Sequence, residues 1–70
     1  MEDIGENLRQ AREQLGLTLE EAERATRIRA RHLAALEAGD LDSLPSSVQA
    51  RGFLKNYAEF LGLDADALLL

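Results

Sequence analysis

Three glycines, Gly16, Gly39 and Gly62, each close a stretch whose apolar residues recur at helical spacing. They cut the chain into brief helices that cannot stand alone in water, since isolated helices below about 12–15 residues are marginal. A bundle in which each helix buries one face against the others is what such pieces can build. No alternating strand pattern competes, because Ile4, Ile28 and Val48 stand far apart. With 70 residues the chain is read as one domain, residues 1–70, with a small and compact core.

Local signals divide it into five segments. The first helix is expected over residues 3–15, where Ile4, Leu8, Ala11 and Leu15 share one face. The second opens on Thr18-Leu19-Glu20-Glu21, a capping box, and covers residues 19–25. Thr26-Arg27-Ile28-Arg29 fits a tight turn into a third helix over 30–38, with Leu33 and Leu36 directed inward beside Ile28. Leu41 and Leu44 are expected to plug the following loop, and Pro45 to start the next helix. The fourth helix covers 46–61, with Ala50, Leu54, Ala58 and Leu61 buried and Tyr57 beside them. Gly52 lies inside it at a cost of about 1 kcal/mol relative to alanine, and is expected to permit close approach of another helix. A short fifth segment spans 65–70, and its leucines at 68–70 fit either a longer protein or a tail folded back on the core.

Composition removes whole classes of chemistry. There is no cysteine and one histidine, His32, so no thiolate chemistry and no histidine-based metal site is expected, and no cofactor. No carboxylate–histidine–nucleophile set is supported by spacing, and Thr18 is a cap, so no enzyme is expected. The longest apolar run has four residues, 67–70, far short of a bilayer span, and the start carries no signal-peptide pattern, so the chain is read as cytoplasmic.

The order helix, glycine, capping box, short helix, tight turn, short helix, glycine resembles the Cro/repressor type of helix-turn-helix domain, an all-α compact five-helix bundle. The series Leu8-Arg9-Gln10-Ala11-Arg12-Glu13, Leu17-Thr18-Leu19-Glu20-Glu21, Ala25-Thr26-Arg27-Ile28-Arg29, Leu33-Ala34-Ala35-Leu36-Glu37, Leu44-Pro45 and Arg51-Gly52-Phe53-Leu54-Lys55-Asn56-Tyr57-Ala58 narrows it. It resembles the N-terminal cytoplasmic domain of the RodZ family of bacterial cell-shape proteins over nearly the whole chain. The Gly52-to-Tyr57 segment is the most specific part. The resemblance implies an adaptor at the cytoplasmic face of the inner membrane, anchored by segments beyond this chain. It implies binding to the actin-like protein MreB through the fourth helix.

Two surfaces follow. On the outer face of the fourth helix stand Ser46, Gln49, Phe53 and Asn56, with Arg51 and Lys55 flanking Phe53. Phe53 reads either as an exposed anchor for a protein partner or as a core residue, and the resemblance favours the anchor. The family has aromatics at both the Gln49 and Phe53 positions, so Gln49 is a departure. Phe60 either belongs to the core or extends the patch.

The alternative surface is the DNA-reading face of a transcriptional regulator, with Arg27, Arg29 and Arg31 as its candidates. Arg24, Arg27, Arg29 and Arg31, with Arg9 and Arg12 nearby, form either a phosphate patch or a surface paired with Glu13, Glu20, Glu21 and Glu23. The third helix offers Ala30, Arg31, Ala34, Ala35 and Ala38 outside its buried face, and Leu19 stands where repressors often carry a glutamine. With a net charge of −5, weak and sequence-indifferent DNA binding at most is expected. Glu23 replaces the small residue usual near the turn, and is expected to reach solvent or pair with an arginine such as Arg27.

Overall fold

A computed structural model describes residues 3–68. Its helices are α1 (Ile4–Gln14), α2 (Leu19–Thr26), α3 (Ala30–Ala38), α4 (Ser47–Phe60) and the single turn α5 (Ala65–Leu68), with a 3-10 turn at Leu41–Ser43 before α4. The fold is all-α, without strands among the described residues. The five expected helices are thus four helices of two turns or more and one isolated turn. The expectation that residues 68–70 fold back concerns side chains outside the described residues.

Each start has a polar cap where the sequence supplies one. Asp3 Oδ1 accepts from the Gly5 and Glu6 amides, and the Ser46 hydroxyl accepts from Gln49, so Pro45 precedes the α4 cap instead of starting the helix. The Thr18 hydroxyl accepts from the Glu21 amide at 3.1 Å, and Glu21 Oε1 accepts from the Thr18 amide at 2.9 Å. That second bond holds the Glu21 carboxyl below the usual carboxylate range. Thr18→Ala removes half of the box and is expected to lower stability by about 1 kcal/mol, read as an earlier urea midpoint. An unchanged midpoint would show that Thr18 does not cap.

Gly16, Gly39 and Gly62 all have φ between 71° and 81°. The residue after each sends its amide back to the helix, Leu17 to Arg12, Asp40 to Ala35 and Leu63 to Ala58. This is the helix-ending arrangement that favours glycine. The end of α2 differs: Arg27 closes it in the left-handed region, φ 64°, the one non-glycine residue described there.

The core gathers Leu8, Ala22, Ile28, Leu33, Leu36, Leu44, Tyr57, Ala58 and Leu61, with Tyr57, Leu8 and Leu33 as its largest fully buried side chains. Several expected core positions lie elsewhere. Ile4 and Leu15, at the two ends of the α1 stripe, lie outside the core, 37% and 55% exposed. Leu41 is 59% exposed while Leu44 is buried, so one leucine plugs the loop. Leu54 is half-buried and Tyr57 takes the centre of the α4 stripe. Ala35, expected outside, is buried.

Close helix approach occurs at Gly5, not Gly52. A β-carbon on Gly5 would stand 2.8 Å from the Leu36 carbonyl oxygen, whereas one on Gly52 meets nothing within 4 Å. Beside that contact lies the main polar junction of the fold. Arg12 Nε donates to Glu37 Oε2 at 2.8 Å and Nη2 to Oε1 at 3.0 Å. The remaining Arg12 Nη1 donates to the Leu17 carbonyl, and the Tyr57 hydroxyl donates to Glu37 Oε2 at 2.5 Å. One carboxylate therefore ties α1, α3 and α4 together, and every buried side-chain polar atom among the described residues has a partner.

Candidate functional site

The face of α4 turned from the core carries Val48, Gln49, Gly52 and Asn56, all exposed, with Phe53 at its edge toward α3. Val48 is 80% exposed. Phe53 is half-buried: its ring stacks on His32 of α3, with centroids 5.3 Å apart and planes 20° from parallel. It is therefore neither a free ring nor a core residue. Asn56 Nδ2 donates to the Thr26 carbonyl at 3.4 Å, joining α4 to the end of α2. The face is composite, with α3 and the α2–α3 turn forming one of its banks.

Gln49, Phe53 and Asn56 are brought together as expected. Arg51 and Lys55 lie two positions either side of Phe53, about 200° round the helix, and both are exposed. Arg51 lines a separate shallow groove with Leu41, Leu44, Ala50 and Leu54. These two cations thus flank Phe53 along the chain but not in space. Phe60 is partly buried against the core.

The basic surface is rearranged more deeply. Arg9 pairs with Glu6 and Glu13 along α1, and Arg12 belongs to the Glu37 junction, so both leave the cluster. Arg24, Arg27 and Arg29 line one shallow depression with Glu23, while Arg31 lines another with Ala34, Ala38 and Asp40. None of these four arginines makes an ion pair among the described residues. The expected paired surface forms in part: Arg9 pairs with Glu13 and the Arg24 charge favours the Glu21 carboxylate, but at the α2–α3 turn no ion pair closes among the described residues. Glu13 takes Arg9, Glu21 closes the capping box, and Glu23 Oε1 accepts from the Ala30 amide at 2.8 Å. Glu23 neither swings free nor pairs with Arg27: it caps α3, whose own cap residue Arg29 has no side-chain bond to give.

As a DNA reader the third helix is poor. Its outer surface carries Ala30, Ala34, Ala38 and the exposed Arg31, so one side chain is able to grip a base edge with two bonds. No cluster of metal-ligating side chains occurs among the described residues, and no helix there is long and apolar enough to cross a membrane.

A family described as helix-turn-helix domain matches residues 7–68. The chain is 47% identical over 66 residues to the cytoskeleton protein RodZ of Streptococcus pneumoniae, covering 94% of this chain and 24% of that protein. It is 46% identical over 52 residues to the uncharacterized membrane protein YmfM of Bacillus subtilis, covering 74% of this chain and 18% of that protein. It thus spans under a quarter of either relative's length. A solved structure in which bacterial actin MreB assembles in complex with cell shape protein RodZ contains a chain that superposes with a TM-score of 0.89 at 38% identity, covering 94% of this chain and 80% of that one.

Proposed function

The chain belongs to the helix-turn-helix family represented by the cytoskeleton protein RodZ, and from that premise we propose that it is an adaptor domain of a bacterial cell-shape scaffold, presenting α4 to the actin-like protein MreB. The likeness to a chain of the MreB–RodZ assembly, over 94% of these residues, is the observation that carries the proposal. We further read residues 1–70 as one domain of a longer, membrane-anchored protein acting at the cytoplasmic face, without catalysis of its own. The likeness to a membrane protein over 74% of the chain supports that placement.

Gln49 and Asn56, with Phe53 at the edge toward α3, form the partner face, and Arg51 and Lys55 lie about 200° round the helix from Phe53, away from that anchor. Phe53 supplies the anchor. Stacked on His32, it has less rotamer freedom to lose on binding than a free ring would. Gly52 supports the same assignment: a helical glycine beside open space contributes nothing to packing here, and leaves room for a partner's backbone against α4. Gln49 takes the place of a second apolar contact and lowers affinity.

Phe53→Ala is expected to weaken binding to MreB by about 2 kcal/mol, roughly thirtyfold in Kd. Because the ring is half-buried and stacked, the same change should cost about 1–2 kcal/mol of stability, well below the roughly 3–5 of a fully buried phenylalanine. Gln49→Tyr should tighten binding with an unchanged melt. Calorimetric titration beside thermal melts reads all three. A Phe53→Ala domain that binds like the parent would remove α4 as the docking face.

A further inference from the structure

Of the three arginines at the α2–α3 turn, Arg24 favours the Glu21 carboxylate, while Arg27 and Arg29 are unspent by the fold. Arg24, Arg27 and Arg29 are exposed, make no ion pair among the described residues, and surround a shallow depression. The fourth lining residue, Glu23, already holds the Ala30 amide. Arg27 also occupies the left-handed region, where a β-carbon is strained and glycine is not. A long cationic side chain at a position better suited to glycine is placed there at the expense of stability, and such outliers cluster at functional sites.

The depression adjoins the α4 face. Thr26, the neighbour of Arg27, accepts from Asn56, and His32, whose amide donates to the Arg29 carbonyl, stacks on Phe53. We propose that the partner face continues from α4 over this turn, and that Arg27 and Arg29 bind acidic side chains of the same protein partner that Phe53 anchors. The inference rests on the adaptor function argued above. A protein partner fits better than a nucleic acid. Exposed Glu20 and Glu21 stand at the start of α2, the chain carries −5 overall, and the outer face of α3 is mostly alanine. Charges at the rim of an apolar anchor act mainly through long-range attraction, so their contribution is screened by salt.

The test is a titration of MreB with the parent domain, Phe53→Ala, Arg27→Gly, Arg29→Gln and the double arginine variant, at two salt concentrations, with a melt of each. At about 0.1 M salt the double variant should bind about tenfold more weakly than the parent, and at about 1 M, where the Debye length is about 3 Å, the difference should vanish. Arg27→Gly should melt no earlier than the parent, and later if the strain is relieved. Equal affinity of parent and double variant at low salt, with Phe53→Ala weakened, overturns this proposal alone. No binding by the parent overturns the adaptor function and the proposal with it. Weaker binding accompanied by earlier melting in both single arginine variants assigns the arginines to the fold and overturns it. So does an arginine effect on binding to a duplex DNA with none on MreB.

Discussion

Glu37→Ala should cost about 3–5 kcal/mol of folding stability, the range for stripping one partner from a buried ion pair. The Glu37 and Arg12 side chains keep only 7% and 13% of their exposure, so truncation leaves a guanidinium with little water to replace the lost carboxylate. The fully buried Tyr57 loses its hydroxyl partner in the same step. A domain of this size has roughly 4–10 kcal/mol of total stability, so much of the population would be unfolded in water at the lower end. Urea melts decide it, and a variant within about 1 kcal/mol of the parent would mean the junction is dispensable. The junction also has a pH signature. Burial first, then the bond to Glu37, pushes the Tyr57 phenol above its ordinary value. A phenol raised on folding contributes stability that is fully present below the unfolded value of about 10 and is lost as pH rises through the higher folded value. The parent should therefore lose stability above about pH 10 more steeply than Tyr57→Phe. Parallel alkaline curves for the two would contradict the assignment.

Alanine at two helical glycines should act in opposite directions. Gly5→Ala places a β-carbon against the Leu36 and Glu37 backbone, and backbone cannot rotate away as a side chain would. The α1–α3 packing must open, at an expected loss of about 3 kcal/mol. Gly52→Ala meets open space and should gain up to about 1 kcal/mol from helix propensity alone. Equal shifts in the two melts would refute this placement of the contact.

The two glycines also mark how far the sequence could be read. Position alone marks Gly52, inside a long helix, as the point of close approach, while Gly5 lies in the first turn of α1, where glycine draws no notice. A single glycine carries no information about which neighbour lies opposite. Features built from adjacent residues were legible: the Thr18–Glu21 box, the helix-ending glycines and the inward Ile28, Leu33 and Leu36. Features joining distant segments were not. The sequence directs Glu23 to solvent or an arginine, and shows nothing of the Glu37 junction or of the ring that His32 meets. For the site, the helical spacing of Gln49, Phe53 and Asn56 was enough to place them together. That Phe53 would be half-sheltered by α3 needed the packing of α3 on α4.

The proposed role of this helix-turn-helix domain is to serve a protein filament and not an operator. It is tested most directly by titrating one preparation of the domain in parallel with MreB and with random-sequence duplex DNA at physiological salt. Saturable binding to MreB, with duplex binding weak and indifferent to sequence, is the predicted result. Sub-micromolar preference for one DNA site, with no binding to MreB, would contradict it.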